Sequence, residues 1–311
     1  MTSLYDPRIK MRHLQAFASV ARQQTVQGAA DTLSLTASAI SKALSELETI
    51  IGKPMFKRTR KGLMTTAEGE QLLRHVLPAL GLLRDGLNLA AGRQQKAGVY
   101  QVRIGVLPTT AAAVAPLAVQ KLQSGYERVE IKVIAGTNME LLYLLREGEL
   151  DMVVGRLPDP TLMFGLSFES LYSEPIIVLA APSHPLATRQ DLTANDLLAY
   201  PMVIPLPHTA VREAVDTFCL ASGLTSLPRV IETLSDSFAR SLVLSSDAVW
   251  FSPWGTVKRD LGAKVLMRLD INTQSTTGSI GLSLRAGVEI SQSAQLMIDA
   301  IRTQARLWRE S

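Results

Sequence analysis

The stretch Thr25–Gly52 reads TVQGAADTLSLTASAISKALSELETIIG. Its first half carries Ala29, Ala30 and Leu33 at helical spacing, and its second half Ile40, Leu44, Leu47 and Ile51. Residues three and four apart share one face of an α-helix, so each half predicts a short helix with one buried stripe. Thr25 and Thr36 stand just ahead of the two patterns, where a hydroxyl can accept from the unpaired N–H groups of a first turn. Gly52 suits the exit of the second helix, and Pro54 prevents its continuation. Upstream, Leu14, Phe17, Ala18 and Ala21 repeat the same spacing. Three short helices with a tight turn before the last predict a helix-turn-helix, whose last helix can enter the major groove of DNA.

The face opposite the core of that last helix carries Ser38, Ser41, Lys42 and Ser45, with Thr36 and Ala37 at its start. Small hydroxyls let the backbone approach base edges and phosphates, and Lys42 supplies charge. The spacing alone also fits a solvated helix face. The following segment, Met55–Thr65, turns the reading toward DNA: Lys57, Arg58, Arg60 and Lys61, then Gly62, predict a small basic β-wing. Charge agrees. Residues 1–98 hold 14 Lys/Arg against 7 Asp/Glu, whereas the whole 311-residue chain is only +4, so a basic first third precedes a mildly acidic body.

Thr66 caps a long helix with Glu68 and Glu70 in its first turn, favourable for the helix dipole. In it Leu73, Val76, Leu80, Leu83, Leu87 and Ala90 follow alternating steps of three and four, the spacing of a coiled-coil seam. A lone helix cannot bury such a seam, so a second subunit is implied. Pro78 predicts a bend. Gly92–Gly98 is polar and predicts a hinge.

From Tyr100 onward strands alternate with helices. Val102–Val106, Val129–Ile134 and Leu150–Val154 predict strands separated by helices to Leu122 and over Asn138–Glu147, a βαβαβ order that implies a parallel sheet. Further strands are expected at Ile176–Ala180, Met202–Ile204, Arg229–Glu232 and Ala248–Phe251, and helices at Ala210–Ser222, Ser237–Leu244 and Ser291–Arg306. The fold class is therefore mixed: an all-α winged helix-turn-helix domain over 1–66, a linker helix and hinge over 67–98, and a two-lobed α/β domain over 99–311. One lobe takes about 99–168 and 269–311 and the other about 169–268, with crossings near Leu166–Leu171 and Leu266–Ile271.

Other classes find little support. No Gly-x-Ser-x-Gly, Gly-x-Gly-x-x-Gly or Walker motif occurs, and the four histidines lack metal-ligand spacing, so an enzyme, a cofactor and a metal are not expected. The single cysteine, Cys219, falls on an expected helix and reads as a buried structural thiol. No apolar run approaches the roughly 20 residues of a membrane span. The polar segment Met1–Arg12 does not read as a signal peptide, so a cytoplasmic location is expected. A solute-binding protein fits the last two-thirds but leaves the basic helical start unexplained.

In open α/β sheets ligands bind beyond the carboxyl ends of strands, near helix N-termini whose free N–H groups favour anions. By placement, Pro108-Thr109-Thr110, Pro207-His208-Thr209 and Ser235-Asp236-Ser237, with Phe238 following, qualify as effector contacts. Thr109 and Ser235 could equally be caps, Asp236 would repel an anion and could serve only to cap its helix, and His208 could be a surface residue.

The whole pattern resembles the LysR-type transcription regulators. Arg12-His-Leu-Gln-Ala-Phe17, Ala29-Ala-Asp-Thr-Leu33, Ala39-Ile-Ser-Lys42, Leu47-Glu48, Gly52-Lys-Pro-Met-Phe56 and Gly69 carry the likeness in the first domain. The remainder resembles the family's periplasmic-binding-protein-like effector domain. Val153–Leu157, Phe168–Glu174 and Glu232–Phe238 are similar to the branch of protocatechuate-pathway and galactose-binding-protein regulators. The resemblance implies double-stranded DNA with dyad-related sites, a small-molecule effector, a dimer through the linker helix assembled into a homotetramer, and contact with RNA polymerase. It adds effector contacts near Gly136-Thr137-Asn138 and Gly155-Arg156, although Arg156 could instead pair with Asp151 or Asp159. The effector expected is a carboxylate or aromatic acid, with a pyranose or its acid as the alternative. The family's frequent Gln-Pro at the start of the recognition helix is Ala37-Ser38 here. A glutamine can bond adenine bidentately, whereas alanine offers only apolar contact.

Overall fold

The structure, a computed structural model, describes residues 6–60, 62–91, 100–126 and 128–310. Lys61 and the Gly92–Gly98 hinge segment lie outside the described residues. Two compact units divide chiefly at Gly92.

The first unit runs α1 (Met11–Gln23), α2 (Val26–Leu33), α3 (Ala37–Ile51), β1 (Phe56–Thr59), β2 (Gly62–Thr65) and α4 (Ala67–Ala90). The Thr25 hydroxyl accepts from Gly28 N at 3.1 Å and Thr36 from Ala39 N at 3.2 Å, which start α2 and α3. Gly52 ends α3 at φ +77°, a left-handed conformation that glycine adopts without a Cβ clash. The stripes read from the sequence meet in a core of Phe17, Val20, Ala29, Ala30, Ile40 and Leu47. β1 and β2 pair antiparallel as the wing. Phe56 at its base packs on Phe17, ring centres 5.4 Å apart. Glu48 accepts from Met55 N (2.7 Å) and Phe56 N (3.3 Å), fixing the wing to α3. Gly69 lets α4 lie on this base, since a Cβ there would fall 2.2 Å from the Met55 carbonyl oxygen. α4 continues through Pro78 for 24 residues.

The second unit contains two five-stranded sheets. The chain runs β3 (Tyr100–Val106), α5 (Pro108–Ala111), α6 (Val114–Gly125), β4 (Val129–Ala135), α7 (Asn138–Arg146), β5 (Met152–Arg156) and β6 (Leu166–Glu174) in the first lobe. The second lobe holds β7 (Ile176–Ala180), β8 (Met202–Ile204), α8 (Ala210–Ala221), β9 (Val230–Glu232), α9 (Asp236–Ser245), β10 (Val249–Pro253), α10 (Trp254–Gly262) and β11 (Met267–Arg268). β12 (Gly278–Arg285) and α11 (Gln292–Glu310) return to the first lobe. Strand orders are β4-β3-β5-β12-β6 and β11-β7-β10-β8-β9. β3 is parallel to β4 and β5, as the βαβαβ pattern requires, whereas β12 is antiparallel to both its neighbours. The inner strands β5, β7, β8 and β10 are buried on both faces. In the second lobe Val178, Ile204 and Phe251 pack toward α8, while Ile177, Val203 and Trp250 pack toward α9 and α10.

The crossings need correction. Leu166–Leu171 does not leave the first lobe: it is the body of β6, paired with β12 from Leu166 opposite Arg285 to Glu174 opposite Gly278. The chain crosses at Pro175, which has no N–H for a ladder. It returns after β11, through a helical turn at Gln274–Thr276, and so later than Leu266–Ile271. The partners of β6 lie more than a hundred residues away, so nothing local marks either strand. The lobes accordingly divide nearer 174 and 278 than 168 and 269.

Candidate functional site

Two sites can be built, one in each unit. On α3, Ile40, Ala43, Leu44 and Leu47 are buried, while Ser38, Ser41, Lys42 and Ser45 are exposed on the opposite face. Thr36 is exposed and its hydroxyl is spent on the cap and on Ser38 Oγ at 3.0 Å; Ala37 is half-buried. Lys57 and Arg58 on β1, and Arg60 at the hairpin turn, are exposed. α3 is tied to α1 by a shared acid. Lys10 N donates to His13 Nδ1 (3.2 Å), which leaves Nε2 as the protonated ring nitrogen, donating to Glu46 Oε2 at 2.9 Å. Arg12 Nη2 meets the same oxygen at 3.0 Å, and these bonds hold the Glu46 carboxyl below its ordinary range. On α4, Val76 is buried and Leu73 and Leu80 are half-buried, whereas Leu83 (49% exposed) and Leu87 (71%) keep open apolar faces.

In the second unit a cleft of about 630 Å³, counted with its open mouth, lies at the carboxyl ends of the strands of both lobes. Pro108, Thr109, Thr137, Asn138 and Arg156 line it from the first lobe, and Thr209 and Asp236 from the second. Thr110 does not reach it: its hydroxyl donates to Val154 O at 2.7 Å within the core. His208 is exposed with φ +63°, just ahead of the capping Thr209, and is not part of the lining. Ser235 caps α9 by accepting from Phe238 N at 3.3 Å, and Ser237 bonds Ser235; these three also lie outside the lining. Leu107, Pro205, Val211, Thr233, Leu234, Trp250, Phe251 and Pro253 complete the walls. These residues were missed although most sit at or just after strand ends, so the rule that selected Thr109 could have selected them too.

The first-lobe wall is unusual in its polar groups. Thr109 is 1% exposed and its Oγ1 has no hydrogen-bond partner. Arg156 is 6% exposed; it donates to the Thr276 carbonyl through Nη2, while Nη1 is buried without a partner. It pairs with neither expected acid. Asp151 is taken by Arg103 at 2.6 Å, and Asp159 accepts from Thr161 N at 2.7 Å. Burial weighs against the Arg156 charge, and Glu174 partly offsets this. Glu174, at the end of β6, accepts from Gly255 N at 3.0 Å through Oε2, and its Oε1 is buried without a partner. Burial pushes its carboxyl up to about 7 despite that bond and the pull of Arg156. The Thr276 hydroxyl accepts from Ile176 N at 2.8 Å, so Arg156, the returning crossing and the first strand of the second lobe are hydrogen-bonded in series.

Two family models match the chain: "Bacterial regulatory helix-turn-helix protein, lysR family" over residues 11–70 and "LysR substrate binding domain" over 95–306. The chain belongs to the LysR family of transcription regulators. The HTH-type transcriptional regulator PcaQ of Agrobacterium fabrum is 36% identical over 302 residues, 97% of each chain. The uncharacterized HTH-type transcriptional regulator YdcI of Escherichia coli K12 is 37% identical over 304 residues, 96% of this chain and 97% of that one. A solved full-length OxyR variant from Pseudomonas aeruginosa shares the fold, with a TM-score of 0.61 at 19% identity over 96% of this chain and 97% of that one.

LysR-family membership makes this chain a DNA-binding regulator with an effector domain rather than an enzyme. Among the described residues no helix is long and apolar enough to cross a membrane, and no group of three acid, histidine or cysteine side chains could hold a metal. Cys219 is buried on α8, and burial pushes its thiol up to about 11, so almost no thiolate is present at neutral pH.

Proposed function

We propose that this LysR-family regulator senses a carboxylate, most readily an aromatic acid, in the cleft of its second unit, and reads DNA through the exposed face of α3 and the wing. The observation that carries the effector reading is the pair of buried, unpartnered donors on one wall, Thr109 Oγ1 and Arg156 Nη1. A buried donor without an acceptor costs about 1–3 kcal/mol, and a carboxylate removes that cost. Trp250, Phe251, Pro205 and Pro253 offer the apolar surface that a ring would bury. The identity to PcaQ agrees with the branch resemblance of the motifs.

On the DNA side, Ser38, Ser41, Lys42 and Ser45 meet bases and phosphates, and Lys57, Arg58, Arg60 and Lys61 meet the backbone beside them. Leu73, Val76, Leu80, Leu83 and Leu87 form the seam with a second subunit, and the exposure of Leu83 and Leu87 supports this. A homotetramer acting in the cytoplasm on two dyad-related promoter sites, and meeting RNA polymerase there, follows from the family resemblance. The effector acts by binding one arrangement of the two lobes better than the other. Calorimetry of the full chain with benzoate and with uncharged benzamide tests the reading: benzoate binds, benzamide binds at least about tenfold more weakly, and Arg156→Met abolishes the difference. Equal binding of the two, or none of either, refutes it.

A further inference from the structure

The second-lobe wall of the cleft carries a charge of its own. Asp236 is the first residue of α9 and lines the cleft. Its carboxylate does not cap the helix, because Ser235 does so. It makes no hydrogen bond or ion pair among the described residues. Asp236 is half-buried, and this partial burial, with no opposing partner, pushes it up to about 6, so it remains mostly ionised at neutral pH. The cleft thus presents buried, unpartnered donors on one lobe and an unpaired carboxylate, together with Thr209 and Thr233, on the other, and apolar Leu234, Trp250 and Phe251 also line it.

A simple aromatic acid would satisfy Thr109 and Arg156 but would leave Asp236 shut against apolar surface, where an unpaired carboxylate is costly. An effector with a second hydrogen-bond donor satisfies both walls. Resting on the carboxylate reading above, we infer that the effector is a hydroxy acid of apolar body, its carboxylate on Arg156 and Thr109 and its hydroxyl donating to Asp236. A hydroxyl fits better than an ammonium. Walls of proline, leucine, tryptophan and phenylalanine return little of the hydration that a full cation gives up. The hydroxyl bond to an ionised acceptor is of the short, strong class. Asp236 then sets specificity, because a site built to receive an O–H rejects the analogue that lacks one more strongly than it rejects a change in apolar size.

The test titrates the full chain with benzoate, 3-hydroxybenzoate, 4-hydroxybenzoate, 4-methoxybenzoate and L-phenylalanine by calorimetry, and repeats the series on Asp236→Asn and Asp236→Ala. A hydroxybenzoate is expected to bind at least about tenfold more tightly than benzoate or the methyl ether. In Asp236→Ala that preference should fall to within about twofold while benzoate binding is kept or improved. The Asn variant keeps an uncharged acceptor, and its preference should lie between the two. Benzoate and hydroxybenzoates binding alike in the wild type would overturn the inference and leave the carboxylate site standing. So would a preference that survives in Asp236→Ala. Tighter binding of L-phenylalanine than of any hydroxybenzoate would replace the hydroxyl by an ammonium and overturn it as stated. If none of the acids binds, the inference falls together with the carboxylate reading.

Discussion

Glu174→Gln should flatten the pH dependence of stability in the second unit. The Glu174 carboxyl is held at about 7 in the fold against an ordinary value of 4.5. The fold therefore favours the neutral acid. Between these values the native state binds more protons than the unfolded state, so stability falls as pH rises, and levels off above about 7. At roughly 1.4 kcal/mol per pH unit, the gap corresponds to about 3 kcal/mol of stability present at pH 4.5 and absent at pH 8. Glutamine imitates the neutral acid, keeps the acceptor for Gly255 N, and does not titrate. The three tryptophans, Trp250, Trp254 and Trp308, all lie in the second unit, so their fluorescence follows its unfolding in urea without contribution from the first. Melts at pH 5, 6, 7 and 8 should show the variant gaining on the wild type as pH rises, by about 2–3 kcal/mol across the range, with equal denaturant slopes. Asp236, pushed up to about 6, gives both proteins a slope of the same sign, so the difference between them isolates Glu174. Parallel curves for wild type and variant would refute the reasoning.

Three further outcomes follow from the same geometry. Thr109→Val should abolish benzoate binding in calorimetry while leaving the unfolding free energy from urea melts unchanged or raised by about 1 kcal/mol, because the lost hydroxyl had no partner to leave behind; a lowered stability would mean that Oγ1 is bonded in the fold. Lys42→Ala should weaken duplex binding roughly tenfold and reduce the slope of log affinity against log salt by about 1 in gel shifts; unchanged footprinting would remove α3 from the interface. Cys219 should alkylate in the native protein only at the rate at which α8 opens, and rapidly in urea, with no peroxide-dependent change in native fluorescence; fast native labelling would contradict the buried thiol.

The first unit was legible because its rules are local. Caps at Thr25 and Thr36, the glycine at 52 and helical stripes all act within a few residues, and the structure places each where the pattern put it. What the pattern missed there was Glu48, whose carboxylate reaches seven and eight residues ahead to Met55 and Phe56 across a loop. Of the parallel strands, β5 was legible because a strand buried on both faces reads as an apolar run, and β3 and β4 because their apolar and polar residues alternate with the period of a strand. β6 and β12 were not. Their residues mix Ser, Glu, Gly and apolar types, and their pairing rests on partners more than a hundred positions distant.

The polar residues of the cleft were only half legible, and the cause is chemical. Thr109 and Arg156 could be placed at strand ends, but that their donors lack partners depends on what every other segment brings to the same spot. Arg156 had two acids within five positions, Asp151 and Asp159, and local reasoning left either open as an alternative to a ligand contact. Asp151 instead serves the backbone and guanidinium of Arg103, and Asp159 closes its own turn on Thr161. The guanidinium is left to Thr276, 120 residues away, with Glu174 nearby but not in ion-pair contact. A protein selected for stability alone would have no use for such a cluster, since an apolar replacement of similar volume is often neutral or stabilising. Its position decides what it is worth: Arg156 lines the cleft, Thr276 lies on one crossing, and Ile176 follows directly on the other. A ligand bound at the unpartnered Nη1 therefore acts on the same guanidinium whose Nη2 holds the segment that joins the lobes. Thr276→Val, which keeps the carbonyl but breaks the hydroxyl bonds to Ile176, should leave benzoate affinity within about threefold while abolishing its effect on DNA binding. An unaltered effector response in that variant would show that the crossing does not carry the signal.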